Sequence, residues 1–548
     1  MSAALGFLHG APIEFQRADD VPNGGILCAL PALLANGLLH HSRDNFSMRE
    51  GYYPMETIFL ILACMALARV KTLEQLRYQD PGEWGKLLGL DRIPEVKTLR
   101  GKIDQICQQQ GQARQWAAEL SREWMEATSQ APGIYYADGH VRVYHGRLTS
   151  LPRRYVARQR LCLRGTTDYW VHSMNGQPFF MISQPVDPGM IEVMNKEIIP
   201  QLLEQAPQRQ IGEGEPRFTV VFDREGYSPK WFAQLKVQNI AVLTYHKFPG
   251  EDWPLKEFHT CQTQLVNGES VEMELAERGT CLSNGLWIRE IRKHCPSGHQ
   301  TSIISTDYHS DFKKLAPTMF ARWCQENFFK YMREHFNIDR LSEYGTEQIP
   351  DTTRVVNPAW RKLDSQIRSK NGKLTRLLAR LGQSTLSHDP KPSQIESYEQ
   401  KNGRLQEESA QMKEQIEDLK KQRKDTPRHL EMGQLPEEER FQQLRQEKKY
   451  FIDTIKLIAY RSETALVYLA REKMKRRDDA RSLIRQLFNT SVDLLPDTEK
   501  KVLTVRLHHL TANVHEQVME HLCQELTATE TIFPGSNFRL VFETGRPS

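Results

Sequence analysis

Between Gly133 and Tyr245 the sequence alternates short apolar runs with helical segments, and this order constrains the fold more than any other feature. GIYYAD (133–138) is a short apolar run, VRVYHG (141–146) alternates and reads as its hairpin partner, and PFFMIS (178–183) is a third strand. MIEVMNKEIIPQLLEQ (190–205) has helical periodicity, and RFTVVFD (217–223) is β-branched and apolar up to its last residue. YSPKWFAQLK (227–236) carries Pro229 where a first helical turn accepts it, and NIAVLTY (239–245) closes the series. Three strands, helix, strand, helix, strand predicts an antiparallel meander extended by parallel strands.

Two of these runs end in aspartate: Asp138 closes GIYYAD and Asp223 closes VVFD. A carboxylate at the end of a buried strand is held rigidly at the edge of the sheet, a good place for a hard cation that takes oxygen ligands. A turn-forming Asp fits the same pattern, since Asp138-Gly139 is good turn chemistry, so the reading depends on a third acid. The helix ARWCQENFFKYMREHF carries Arg322, Glu326, Lys330 and Arg333 at spacings of four, four and three, which puts them on one face. Arg322 is placed to orient the Glu326 carboxylate and Arg333 to reach a phosphate, while Trp323 and Phe329 fall off the stripe and pack inward. A surface ladder of ion pairs has the same spacing.

Taken together, these residues resemble the DDE transposases of bacterial insertion sequences, in the cut-and-paste branch with a Y-R-E-K signature and a β insert before the last acid. Arg322, Glu326 and Arg333 match the arginine, glutamate and lysine positions, FDREGYS matches around Asp223, and the tyrosine position falls on Met319 beside Phe320. The strand order is that of a ribonuclease-H-like (RNase H-like) core. The resemblance implies an α+β multidomain protein whose catalytic metal ligands are Asp138, Asp223 and Glu326; Lys330, on the same helical face, is a supporting cation for phosphate. It implies two Mg²⁺ ions per site, replaceable by Mn²⁺, that serve hydrolysis and strand transfer at phosphorus. It further implies double-stranded DNA partners (terminal inverted repeats and target), a hairpin intermediate, a homodimeric synaptic complex, and a cytoplasmic, nucleoid-associated place in a bacterium. A flipped base would stack on an aromatic of the insert, and Trp287 in GLWIREI is the candidate.

The net charge of +4 is too small to identify a polyanionic partner, but its distribution is informative. No acidic residue lies between Asp138 and Asp168, while Arg142, Arg147, Arg153, Arg154, Arg158, Arg160 and Arg164 do. Arginine suits phosphate forks, so this stripe reads as a DNA contact beside the acids, with Arg224 added next to Asp223. GEWGKLLGLDRIPEVKTLRGKIDQI near the N-terminus gives a turn and then a helix bearing Lys97, Arg100 and Lys102. That fits a helix-turn-helix, although an ordinary helical domain with a basic face has the same pattern.

The composition divides the chain into six parts. Residues 1–130 are helical and bind the DNA end. Residues 131–246 begin the catalytic core, 247–312 are a β-rich insertion, and 313–350 carry the third acid. Residues 351–440 are a helical hairpin or coiled coil, with Trp360, Leu363, Ile367, Leu374, Leu377 and Leu381 at heptad-like spacing. Residues 441–548 are a C-terminal helical region for dimerisation or DNA contact. No apolar run reaches the roughly 18 residues of a membrane span, and METIFLILACMALARV reads as a buried helix. The start of the chain lacks a basic segment followed by an apolar core, so no secretory leader is expected. Nine scattered cysteines without a CxxC pair predict a reducing compartment, and the His and Cys residues of 259–299 lack the spacing of a zinc site. A catalytically inactive transposase-derived DNA-binding protein and a metal nuclease without joining activity are the competing readings.

Overall fold

The computed structural model describes residues 10–545 except 129–132, 147–150, 157–158, 160, 185, 187, 209–211, 213, 266–268, 321–322, 341–344, 387–394 and 509–514, and except the side chains of 155, 323–326, 384–386 and 395–398. The chain starts with a short strand, β1 (Ala18–Val21), followed by helices α1 (Leu30–Ala35), α2 (Ser42–Asn45), α3 (Met55–Leu67), α4 (Pro81–Leu87), α5 (Val96–Ile106) and α6 (Gln112–Ala127). α3 is apolar on all sides and correspondingly buried, with Ile58, Phe59, Ile61 and Ala63 inaccessible to solvent. Among the described residues no helix is long and apolar enough to cross a membrane. Asp80 caps α4 by accepting from the N–H groups of Gly82 and Glu83, and Pro81 fills the first helical position.

The central part contains β2 (Ile134–Val143), β3 (Arg153–Val156), β4 (Leu161–His172), β5 (Pro178–Gln184), α7 (Met190–Val193), α8 (Ile199–Gln205), β6 (Phe218–Phe222), α9 (Pro229–Val237) and β7 (Ile240–Tyr245). It continues with β8 (His259–Gln264), β9 (Ser270–Cys281), β10 (Trp287–His294), β11 (Gln300–Ser305), α10 (Phe312–Phe320) and α11 (Trp323–Tyr331), which runs into a π-helical turn at Met332–Phe336. The strands form one sheet in the order β5-β4-β2-β6-β7-β11-β10-β9-β8, with β3 also on β4 at a different level. β5, β4 and β2 are antiparallel neighbours, and β6 and β7 run parallel to β2. Segment 247–312 is β-rich, yet it does not stand apart. Its strands continue the main sheet as an antiparallel meander from the β7 edge.

The strand containing Asp138 differs from the sequence expectation. β2 runs on to Val143, so Asp138-Gly139 makes no turn and 141–146 is no hairpin partner. Asp138 pairs with Trp170 and Gly139 with Tyr169, and this ladder of backbone hydrogen bonds outweighs the local turn preference. The true partner is β4. Its Arg164, Thr166, Thr167 and Asp168 hide it from an apolar-run reading.

The last third consists of β12 (Thr346–Gln348), β13 (Arg354–Val356), α12 (Pro358–Leu386), α13 (Ile395–Asp425), β14 (His429–Glu431), β15 (Gln442–Leu444), α14 (Glu447–Lys473), α15 (Ala480–Phe488), β16 (Val492–Asp497), β17 (Val502–Leu507), α16 (Glu516–Ala528) and β18 (Arg539–Thr544). α12 and α13 pair antiparallel within the chain: Arg423 bonds Asp364 at 2.6 Å and Lys370 bonds Gln415 at 2.5 Å. Ile367 and Ile416 are buried in this hairpin, and the β13–β14 ladder closes its base. The region after 441 is not purely helical. β16, β17 and β18 form a second sheet with β1, so the two ends of the chain share one structure. ADDV, with two adjacent acids, gives no strand signal of its own.

α14 is the spine between these parts. It packs against α1, α3, α6, α15 and α16, and Tyr450 accepts a hydrogen bond from the Ser183 N–H of β5 at 2.9 Å. A charged cluster joins it to the sheet. Arg142 of β2, wholly buried, lies 2.7 Å from Asp453 and 3.2 Å from Asp168 of β4. Lys449 lies 2.9 Å from Asp168 and 3.2 Å from Asp453. Burial alone would raise the Asp453 pKa, but Arg142, Lys449 and Lys456 hold the carboxyl well below the usual range. Arg142 is therefore an internal joint, which corrects its reading as a DNA contact: a side chain with no exposed atom cannot meet a phosphate.

Removing one member of such a cluster strands a buried charge. Arg142→Met is expected to lower stability by about 3–5 kcal/mol, read as a shifted urea midpoint in tryptophan fluorescence. Because the folded Asp453 pKa is depressed, its stabilisation is complete above the ordinary aspartate pKa of about 4 and is lost as pH falls below it. The wild-type midpoint should accordingly drop on acidification through that range.

Candidate active site

β2 and β6 pair in parallel at Ile134–Thr219, Tyr135–Val220 and Tyr136–Val221. Carried two residues further, this register sets Asp138 beside Asp223 on the neighbouring chain, and strand alternation puts both on the face of Tyr136 and Val221. Both aspartates are half-buried. One oxygen of Asp138 accepts the Gly139 N–H at 2.9 Å, and one oxygen of Asp223 accepts the Glu225 N–H at 2.8 Å. The Thr244 hydroxyl donates to the Asp223 carbonyl at 3.1 Å, tying the end of β6 to β7. The two carboxylates are thus pinned by backbone before any ligand arrives.

α10 and α11 cross this face. The Tyr136 hydroxyl donates to the Thr318 carbonyl of α10 at 2.6 Å. Met319, at the position where the resemblance puts a tyrosine, is fully buried among Tyr136, Val221 and Leu243, so it supplies wall and no hydroxyl. α11 is fixed at the level of Asp138. Phe329 stacks on His140, two residues along β2, with centroids 5.0 Å apart and planes 10° apart. Phe328 and Phe329 also pack on Trp170, the cross-strand partner of Asp138, at 5.6 and 6.2 Å. Glu326 lies on this helix; its side chain, like Arg322 as a whole, lies outside the described residues. Lys330 is exposed. The π turn at Met332–Phe336 alters the helical phase before Arg333, whose Nε donates back to the Phe329 carbonyl at 3.3 Å. The stripe from Arg322 to Arg333 is therefore not continued straight to its last member.

Two further groups hold this helix, and neither has a local signal in the sequence. His140 Nε2 is hydrogen-bonded to Asp339 just beyond the π turn, at 2.5 Å. The Tyr331 hydroxyl donates to Glu463 of α14, a carboxylate with no exposed surface. Arg69, at the end of α3, reaches the same carboxylate at 2.7 Å and stacks over Phe336 at 4.4 Å, and Arg481 approaches from α15 at 3.5 Å. Burial and Glu463 push the Tyr331 phenol well above its ordinary pKa, so it stays a donor. The contacts Tyr331–Glu463, His140–Asp339 and Arg69–Glu463 span 132, 199 and 394 positions, and no spacing rule connects them.

The basic stripe divides. Arg142 and Arg154 are buried, and Arg147, Arg158 and Arg160 lie outside the described residues. Arg153, exposed, and Arg164, half-buried, face each other across β3 and β4. Like charges directly opposed on a ladder cost stability unless an anion lies near. Arg361 of α12 joins them: its pKa is lowered first by burial and then by Arg153. Arg224 is exposed beside Asp223, its guanidinium 5.6 Å from the Tyr245 ring. In the N-terminal part Lys97 is exposed, Arg100 pairs with Glu74, and Lys102, its pKa lowered by burial, donates to the Arg49 carbonyl at 3.2 Å. Arg100 and Lys102 thus already have partners inside the protein.

Trp287 is half exposed at the start of β10, where it lies across Gly279: a Cβ at that glycine would come within 2.4 Å of the indole. Its other neighbour is Tyr308, with centroids 5.3 Å apart. Among the cysteines and histidines of 259–299, Cys261 is buried and donates to the His259 carbonyl, and His294 is bonded to Glu274. They form no metal-ligand group among the described residues. Asp138 and Asp223, both pinned and level, do fit a hard divalent cation that takes carboxylate oxygens.

A family model described as "Transposase protein" matches residues 1–545. No curated protein sequence matches the chain. A solved structure described as "Cryo-EM structure of piggyBac transposase synaptic complex with hairpin DNA (SNHP)" is 10% identical, covering 59% of this chain and 71% of that one, with a TM-score of 0.30. With the family match running almost end to end, the chain belongs to a transposase family.

Proposed function

We propose that this protein is a DDE-type DNA transposase that cuts and joins DNA at the inverted repeats of an insertion sequence. The observation that carries the reading is the parallel register that sets Asp138 level with Asp223, under a helix bearing Glu326 that is stacked at the same level. The order β5-β4-β2-β6-β7, three antiparallel strands and two parallel additions, supports an RNase H-like core.

Asp138, Asp223 and Glu326 would hold divalent ions, Mg²⁺ by expectation and Mn²⁺ as substitute. Such ions supply an activated nucleophile and a stabilised leaving oxygen for in-line attack at phosphorus. The chain's own residues do the positioning. The backbone N–H groups of Gly139 and Glu225 fix the two aspartates, and Phe329 on His140 fixes the helix. Arg224 and Lys330, both exposed, flank the scissile strand. Arg153, Arg164 and Arg361 take a phosphate run farther along the duplex. Six residues of β4 separate Arg164 from Trp170, or about 20 Å of strand. Water attacks first and frees a 3′-hydroxyl, which attacks the opposite strand and closes the hairpin; water reopens it, and the restored 3′-hydroxyl attacks target DNA, with a 3′-oxygen displaced at each step. The hairpin intermediate, the base stacked on Trp287, the homodimeric synapse and the bacterial, nucleoid-associated setting belong to this proposal through the sequence resemblance.

Cleavage of duplex DNA carrying the element's terminal repeats tests the reading. Asp138→Asn or Asp223→Asn should each lower cleavage by at least about 100-fold while the protein still retains DNA. Unchanged cleavage would refute the site. DNA binding without cleavage by the wild type in Mg²⁺ would favour the inactive DNA-binding reading, and cleavage without strand transfer the plain nuclease. Arg153→Ala combined with Arg164→Ala should weaken DNA binding evenly across sequences and reduce its salt dependence by about two phosphate contacts. Trp287→Ala should spare DNA binding and slow formation of the hairpin band on a denaturing gel.

A further inference from the structure

A cavity of about 370 Å³ lies between the N-terminal helices, α14 and the chain that leaves the π turn. Met65 of α3, Ile103 of α5, Ile455 of α14 and Phe336 give it an apolar lining. Its acids are already engaged, Glu74 with Arg100 and Asp104 with Lys448 at 2.5 Å. Lys71, Arg340 and Lys456 remain. Lys71 and Arg340 are exposed and have no ion pair among the described residues. Lys456 is 13% exposed, and its nearest carboxylate oxygen, on Asp453, is 3.7 Å away. Asp453 is held more closely by Arg142 at 2.7 Å and Lys449 at 3.2 Å. Lys456 also donates to the Asn337 carbonyl at 3.4 Å, and burial draws its amine down to about 8 against the pull of Asp453.

The volume is that of a small-ligand pocket. An apolar slot beside three cations, two of them without an ion pair among the described residues, matches a flat ring that carries a phosphate. We propose that this cavity binds a nucleotide, with its ring in the slot and its phosphate against Lys71, Arg340 and Lys456, at a site separate from Asp138 and Asp223. The choice of a nucleotide among anionic aromatics rests on the transposase reading. The nucleotide is either free or an unpaired unit of a DNA strand. Arg69 lines the same cavity and also donates to Tyr331 and Glu463, so an occupant touches the group that holds the helix of Glu326.

The test uses the full chain without divalent ions, so that catalysis plays no part. AMP is titrated by calorimetry. A duplex with one unpaired 5′ nucleotide is compared with its blunt counterpart by fluorescence anisotropy. Saturable AMP binding, or a preference of about fivefold for the unpaired end, is the expected result; the first identifies a free nucleotide and the second a strand. Lys71→Glu, on the exposed rim, should weaken that binding by about tenfold, and Ile103→Trp, which fills the slot, should abolish it. Absence of both signals, or binding that a folded Lys71→Glu variant leaves unchanged, overturns the proposal. If neither probe binds while Asp138→Asn still abolishes terminal-repeat cleavage, the transposase reading stands and this inference alone falls.

Discussion

The arrangement depends on one buried group of charges. Arg142 and Asp168 come from adjacent strands, Lys449 and Asp453 from one helix, and none can be solvated where it sits. Each charge is tolerable only while its partners are in place, so α14 has one seat on the sheet. Once it is seated, everything packed on α14 is placed as well: the N-terminal helices on one flank, α15 and α16 on another, and the face of the sheet that carries the aspartates.

The candidate active site inherits that rigidity. β2 and β6 bring two carboxylates level through backbone register alone, which no side-chain substitution can easily undo. The third acid has no such guarantee, because it rides on a helix laid across the sheet. Aromatic stacking on His140 and Trp170 sets its height, and the Tyr331–Glu463–Arg69 group sets its far end. The candidate site is a pair of aspartates fixed by backbone, beside a helix whose position is made by tertiary contacts.

Asp223 was legible because a β-branched run ends on it, and Glu326 because of its helical neighbours. Asp138 is marked by a strand ending that the structure does not have: β2 runs on to Val143, and the Asp-Gly pair forms no turn. The arginine stripe was legible as composition but not as exposure, since nothing in a list of arginines separates Arg142, sealed between two buried carboxylates, from Arg153, open to solvent. His140, Asp339, Arg69 and Glu463 could not be read at all. Their roles come from contacts that close loops of about 200 to 400 residues, and the intervening sequence does not encode those contacts locally.

The pairing of β1 with β16 has a consequence for how the protein comes into being. A chain emerging from the ribosome exposes Ala18–Val21 long before Val492 exists to receive it, and Arg69 waits in the same way for Glu463. The N-terminal helices therefore stay unfinished, and the helix of Glu326 unanchored, until residues 463 to 494 are made. A product released early by interrupted translation would keep the two level aspartates without a firmly held α11. Synthesis well past α14 is thus built into the fold as a condition for assembling the face that carries the aspartates.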